Sequence, residues 1–368
     1  MIPKVVKLVE NDNILEFTAE SVHVSYVNGL RRILLSEIPV NAFITEKHET
    51  NQCNILKNTT RFHNEIVKQR LSCIPIVEDD LERLPGKFRL EVHKKNETQN
   101  IVYCTTEDFQ IKNLETDTYM ERDDVKKIFP PDAITGDYIC FVRLRPYISD
   151  TITGEEIKLE CEFSVSSSKE NSMYNVVSLC TFGNTIDDDK VEKKWSSLEK
   201  KMQSERMTEE EIAFEKRNFY ILDSQREYKT DSFDFALKTV GIYTNKQLLQ
   251  LGIQSLLNKL NTFIENVDGD IIPINISDTT MENCYDITLL DEDYTLGKLI
   301  EFEVFAKYFE TDKLMSFVGF KKFHPHDNDS IIRVAYKEKV EKNVIRQHLK
   351  TITNTCIDKY TSLGKYFK

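Results

Sequence analysis

Hydrophobic positions along this chain switch between two periods, and the switches mark its elements. Apolar, β-branched-rich runs at residues 5–9 and 14–18, parted by Asn11-Asp12-Asn13, predict two strands joined by a turn. From 25 to 37 the period becomes helical. Val27, Leu30 and Leu34 share one face, Arg31 and Arg32 lie off it, and Pro39 is the stop. A short helix is expected around 63–71, ending in the apolar turn Cys73-Ile74-Pro75-Ile76. Between about 80 and 164, alternating runs such as 88–92 and 138–142 predict an antiparallel, strand-rich module. Pro130-Pro131 and Thr153-Gly154 fall in its loops.

Residues 187–217 break the pattern, because 18 of these 31 are charged. Trp195, Leu198 and Met202 keep helical spacing there, and Thr208 with Glu211 has the form of a capping box. The expectation is a solvated helical insertion on the surface. A strand at 233–240 precedes the most regular helix of the chain. Thr244 and Gln247 offer its cap, while Leu249, Ile253, Leu256, Leu260 and Phe263 repeat as a seam. The last hundred residues repeat this order. A strand at 285–290 leads into a helix at 296–309 carrying Leu296, Leu299 and Ile300. Two strands follow at 317–321 and 331–336, then a helix with Ile345, Leu349, Ile352 and Cys356 on one side.

The two ends echo each other. Residues 25–35 can be laid over 295–305, which sets Glu301 and Phe302 where the first segment has Arg31 and Arg32. Each half then has an apolar helical seam, and seams left in water are unfavourable, so the two should bury against one another across a pseudo-twofold axis.

Charge narrows the function classes. A formal net charge of -12 argues against wrapping bare nucleic acid, which needs a basic face. Eight cysteines are scattered without CxxC spacing, so no zinc ribbon or redox motif is encoded and reduced, mostly buried thiols are expected. No signal-peptide run opens the sequence, and no stretch nears the roughly 20 apolar residues of a membrane span, which predicts a soluble intracellular protein. His63 with Cys73 would make a poor catalytic set, since no third group orients them, and His324 with His326 a poor chelating one, since they lie one residue apart and on opposite faces if extended.

Two blocks carry a family resemblance. Asn28-Gly29-Leu30-Arg31-Arg32-Ile33-Leu34-Leu35-Ser36-Glu37-Ile38-Pro39 is similar to the helix N-A-L-R-R-x-L-L-x-E-I-P. Glu65-Ile66-Val67-Lys68-Gln69-Arg70-Leu71-Ser72-Cys73-Ile74-Pro75-Ile76 is similar to E-F-I-A-H-R-L-G-L-I-P-L. Both belong to the alpha-like subunits of multisubunit DNA-directed RNA polymerases, and the first half resembles the third-largest subunit of the RNA polymerase II type. Asp293-Tyr294-Thr295-Leu296-Gly297-Lys298-Leu299, followed by Phe317-Val318-Gly319-Phe320-Lys321 and His324-Pro325, resembles the small alpha-like partner, the eleventh subunit. The cysteine cluster that the third-largest subunit carries beyond its I-P-L turn is missing from 77–86, so neither zinc nor an iron–sulfur cluster is expected.

The resemblance implies an α+β fold. Two alpha-like dimerisation domains would pack as an intramolecular pseudo-heterodimer through a helical bundle, with a strand-rich insert in the first half. The implied boundaries are 1–41 with 165–270 (including the charged insertion 187–217) for the first domain, 42–164 for the insert and 271–368 for the second. It further implies an assembly platform with no active site or cofactor of its own. Partners would be the largest and second-largest polymerase subunits and small zinc-bearing ones, with DNA reached only through the complex and no membrane. Arg31, Arg32, Glu37, Arg70, Lys169 and Glu170 are the implied large-subunit contacts. A fused chain of this kind resembles those of large nucleocytoplasmic DNA viruses, which implies a virion and host-cytoplasm location, the nucleus being the alternative. The rival readings are a stand-alone nucleic-acid-binding protein and an oligomeric scaffold. Salt-sensitive DNA affinity of the isolated chain would favour the first.

Overall fold

In the computed structural model, which describes residues 2–149 and 151–367, the chain opens on a hairpin of β1 (Lys4–Asn11) and β2 (Ile14–Glu20). Asn11 pairs with Ile14, and both loop residues, Asp12 and Asn13, have positive φ (47° and 62°). That is the backbone of a type I′ turn, whose twist matches the strands it joins. Helix α1 (Val24–Ser36) follows, then β3 (Pro39–Ala42), β4 (Cys53–Asn58), α2 (Asn64–Ser72), β5 (Phe88–Lys95), β6 (Val102–Thr105) and β7 (Phe109–Asn113). Next come α3 (Arg122–Ile128), β8 (Cys140–Leu144), β9 (Glu156–Glu162), β10 (Ser164–Ser167), β11 (Val177–Ile186), α4 (Asp188–Ser204), α5 (Glu209–Ile221) and β12 (Tyr228–Thr239). The chain continues through α6 (Asn245–Asp268), β13 (Ile274–Ile276), β14 (Cys284–Leu289), α7 (Tyr294–Val304), β15 (Met315–Lys321), β16 (Ser330–Tyr336) and α8 (Lys342–Gly364). The mixture of helix and strand is consistent with the α+β class that the resemblance implies.

These elements gather into two units. The first comprises residues up to Leu34, Leu179–Lys238 and residues from Asn245 onward. It contains the sheet β1-β2-β12-β11 and the antiparallel sheet β13-β14-β16-β15. Alternation decides which face of β2 is inward: Leu15, Phe17 and Ala19 are buried, and Phe17 stacks on its cross-strand partner Phe235 at 5.0 Å between centroids.

The second unit comprises Leu35–Ser178 and Thr239–Thr244. Its main sheet has the order β4-β9-β5-β7, with separate pairs β6-β8 and β10-β3. On β9, Ile157, Leu159 and Cys161 point into one core while their neighbours face out. Phe109 meets Phe129 and Phe141 edge-on in that core, at 5.3 and 5.6 Å.

The charged stretch forms two helices. α4 stops at Ser204 and the chain turns through Arg206, whose φ is +59°. The expected capping box then starts α5: Thr208 Oγ1 accepts from the Glu211 N–H (3.3 Å), and Glu211 Oε2 accepts from the Thr208 N–H (2.8 Å). The pair holds a small core of its own, Val191, Trp195 and Phe219, with Leu198, Met202 and Ile212 against it. At its base, the Asp187 N–H donates to the Glu227 carbonyl (2.9 Å), and Lys194 pairs with Glu227 (2.6 Å). Among the described residues, no helix is long and apolar enough to cross a membrane.

Candidate functional site: the helical seam of the first unit

Helices α1, α6, α7 and α8 bury the apolar stripes that periodicity predicts for them. Val27, Leu30 and Leu34, Leu249, Ile253, Leu256 and Leu260, Leu296, Leu299 and Ile300, and Ile345, Leu349 and Ile352 are each at most 5 % exposed. Full burial of such a side chain is worth about 1.5–3 kcal/mol, so the seam stabilises the folded chain by its apolar content first. α8 packs on both α6 and α7. α1 crosses α6 closely at Gly252, where a Cβ would lie 2.9 Å from Leu34 Cδ2 and 3.2 Å from Leu30 Cδ1.

A polar cluster is set into this apolar seam. Glu303 falls on the buried stripe of α7, seven residues after Leu296, and is 6 % exposed. A carboxylate there needs partners. The Tyr26 hydroxyl on α1 donates to Glu303 Oε1 at 2.6 Å, and Lys359 Nζ on α8 donates to the same atom at 2.5 Å. The Lys359 ammonium also sits 5.0 Å from the centre of the Tyr26 ring. Tyr26 Oη lies 3.5 Å from Cys356 Sγ, and the Tyr360 hydroxyl donates to the Tyr26 carbonyl at 3.0 Å. Burial, then the nearby Cys356 and Glu303, push the Tyr26 phenol well above its ordinary value, and burial pushes the Cys356 thiol up to about 12.

Gly29 fits this arrangement. The related helix motif has alanine at that position, but here a Cβ would lie 2.8 Å from the Tyr360 hydroxyl oxygen. Alanine normally gains about 1 kcal/mol over glycine inside a helix. Gly29→Ala is nevertheless expected to lower stability by about 1 kcal/mol through overpacking, and to raise it when Tyr360→Phe removes the hydroxyl. A double-mutant cycle by urea denaturation reads the coupling, and additive effects would contradict the crowding.

A second polar contact joins α1 to the start of α7. Asp293 caps α7 by accepting from the Thr295 N–H at 2.8 Å. Arg32 Nη2 donates to Asp293 Oδ2 and forms an ion pair with it, and Arg32 Nε donates to Thr295 Oγ1 at 2.8 Å. Burial alone would raise the Asp293 pKa, but the Thr295 N–H and hydroxyl and the Arg32 guanidinium together hold it below the usual value. A carboxyl depressed in this way stabilises the fold above its unfolded pKa of about 3.9, and the contribution is lost as pH falls through the folded value. Acidification from about pH 6 to about pH 3 is therefore expected to cost the native chain more stability than Asp293→Asn. Denaturant titrations across that range measure the difference, and parallel curves would count against the contact.

Next to it, the His23 ring lies flat on Phe302 with centroids 3.5 Å apart. Burial lowers the His23 pKa, with Lys359 adding and Glu303 opposing. At the positions that echo Arg31 and Arg32, Glu301 pairs with Lys298 and Phe302 stacks on His23.

The sequence-predicted contact residues fall on both units. On the first, Arg31 is half-buried and donates from Nε and Nη2 to Asn28 Oδ1 at 3.1 and 3.0 Å, while the Arg32 fork engages Asp293 and Thr295. On the second, Arg70 donates to the carbonyls of Phe141 (2.6 Å) and Cys140 (2.8 Å) and so ties α2 to β8. Glu37 is half-buried there, and Lys169 and Glu170 are exposed, the Lys169 N–H donating to the Ser36 carbonyl at 2.6 Å. Among the described residues, no group of three His, Cys, Asp or Glu side chains has the geometry to hold a metal ion. Sequence reasoning missed Tyr26, Glu303, Lys359 and Tyr360. The usable signal was the acidic Glu303 on an otherwise apolar helical stripe.

A conjugation stage-specific protein of Tetrahymena thermophila is 25% identical over 298 residues, 68% of this chain and 91% of that protein. The DNA-directed RNA polymerase subunit Rpo3 of Methanosphaera stadtmanae is 27% identical over 174 residues, 47% of this chain and 58% of that subunit. The sequence model of the RNA polymerase Rpb3/Rpb11 dimerisation domain matches residues 16–260, a stretch that holds α1 and most of α6. With two seam helices inside a match that covers more than half of its length, the chain belongs to the RNA polymerase Rpb3/Rpb11 dimerisation-domain family.

Proposed function

We propose that this chain is a non-catalytic assembly subunit of a multisubunit DNA-directed RNA polymerase, with two alpha-like halves fused in one polypeptide. The observation that carries the reading is the buried seam: α1 and α6, from the family-matched stretch, pack with α7 and α8 from beyond it. In this reading the halves are 1–41 with 165–270 and 271–368, paired as a pseudo-heterodimer, with 42–164 inserted in the first. Fusion makes such pairing unimolecular, so effective concentration favours it without any new contact.

The seat so formed would hold the largest and second-largest subunits, with small zinc-bearing subunits completing the complex. Arg31, Arg32, Glu37, Arg70, Lys169 and Glu170 are the proposed large-subunit contacts, and planar guanidinium forks suit the recognition of carboxylates and carbonyls. The likeness to Rpo3 supports the polymerase context. A large DNA virus as source, with the protein in virions and host cytoplasm, is part of the same reading.

Affinity purification of the tagged chain from its native source, followed by mass spectrometry, tests the proposal. Both large polymerase subunits are expected in the eluate, and a chain recovered without any polymerase subunit would overturn it. Arg31→Ala is expected to weaken that capture several-fold while leaving the melting curve in place. Arg32→Ala is the less clean variant, because it also removes the Asp293 contact.

A further inference from the structure

Six of the eight cysteines are buried, while Cys73 and Cys140 are exposed. Two of the buried ones, Cys53 on β4 and Cys161 on β9, are directly opposite each other in the antiparallel register. The adjacent opposite pair, Gln52 and Glu162, is joined by the Glu162 N–H donating to the Gln52 carbonyl at 3.3 Å. Hydrogen-bonded and non-hydrogen-bonded pairs alternate along such a ladder, so Cys53 and Cys161 occupy a non-hydrogen-bonded position. There the Cα atoms approach to about 4.5 Å and the side chains are closest. That separation lies inside the range of about 4.4–6.8 Å that a disulfide spans without backbone movement. Both thiols also point into the same core.

Both are buried, Cys53 at 2 % exposure and Cys161 at 0 %. Cys53 lines a polar cavity of about 450 Å³ together with Asn51, Gln52, Asn64, Lys68 and Glu162. The neighbouring Cys161 thiol favours the Cys53 thiolate, burial opposes it and the Lys68 ammonium adds to it, with a net pKa below the ordinary value. Cys53 beside it, then burial, raises the Cys161 pKa, and the Cys161 thiol donates to the Glu162 carbonyl at 3.6 Å. Position distinguishes the two residues: Cys53 borders the cavity, and Cys161 lies opposite it on β9.

We propose that Cys53 and Cys161 form an oxidisable dithiol that small hydroperoxides convert to a disulfide joining β4 to β9. The Cys53 thiolate attacks one peroxide oxygen, the O–O bond breaks, and the departing oxygen leaves as water or an alcohol once protonated. Cys53 is then a sulfenic acid. The Cys161 sulfur attacks the Cys53 sulfur, the S–S bond forms, the S–O bond breaks, and the hydroxyl leaves as water with the Cys161 proton. Two thiols and one hydroperoxide thus give one disulfide and two oxygen products, with two electrons passing from sulfur to oxygen. A dithiol reductant reverses the change by thiol–disulfide exchange. β4 is the edge strand of its sheet, so the bond would pin that edge to its neighbour.

The test is a hydrogen peroxide titration of the purified full-length chain, with alkylation of remaining thiols under denaturing conditions and peptide mapping without reduction. The expected result is a linked peptide pair containing Cys53 and Cys161 in most molecules, lost after dithiothreitol. Cys161→Ser is expected to leave Cys53 as a sulfenic acid that dimedone traps, an adduct largely absent from the native chain. Recovery of both cysteines as alkylated thiols at doses that exhaust Cys73 and Cys140 would overturn the proposal. So would a link that forms only in chain unfolded before oxidation.

Discussion

Gly252→Leu is expected to destabilise the chain by about 3 kcal/mol and to abolish capture of polymerase subunits in the same step. A Cβ at Gly252 would already lie 2.9 Å from one Leu34 methyl carbon and 3.2 Å from one of Leu30. Both leucines are at most 2 % exposed, so neither can swing into solvent. The extra branch must then drive α1 off α6, and close-packed interiors do not absorb such volume. Gly183→Ala on β11 is the control, since nothing lies within 4 Å of the added methyl. Its effect should stay within about 0.5 kcal/mol. Urea denaturation of the two variants makes the comparison, and equal midpoints would show that the crossing tolerates volume.

Lys359→Met has the second-largest expected effect, about 2–3 kcal/mol. Methionine keeps the apolar stem but removes the charge, leaving the buried Glu303 carboxylate with the Tyr26 hydroxyl as its remaining partner among the described residues. A fully buried broken pair would cost more, but the Lys359 side chain is 23% exposed and water screens part of the interaction. Adding Glu303→Gln should regain at least half of the loss, because a neutral amide still accepts from Tyr26 without an unpaired charge. Denaturation of the single and double variants tests this. A single variant as stable as the native chain would mean that the ammonium contributes nothing there. Exposed pairs such as Lys127 with Asp124 are a fair contrast, and their removal should hardly be felt.

Element positions were legible to the extent that one period ruled a segment. The Asn11-Asp12-Asn13 turn, the helix after His23 and the long helix after Thr244 all fall where spacing and turn chemistry predict. The stripe residues of four helices were legible for the same reason, since burial of one face is what creates the period. The start of α5 was legible in the capping box of Thr208 and Glu211, whereas the end of α4 was not, because a heavily charged stretch gives little contrast between inside and outside. α7 runs on as a π-helix over Phe305–Thr311, past the expected end at 309. The partner of each face was not legible. Tyr26 and Glu303 meet across a separation of 277 residues, and nothing local to either position encodes the other. Arg32 shows the same limit: nothing local to it encodes the contact of its fork with the cap of α7.

The α4–α5 excursion departs and returns at one pinch, where Asp187 bonds to Glu227 between neighbouring strands β11 and β12. Closing a longer loop costs only slightly more entropy than closing a shorter one. Lineages can therefore lengthen, trim or replace this excursion without slipping β11 against β12, and an experimenter can splice a fluorescent or affinity module there.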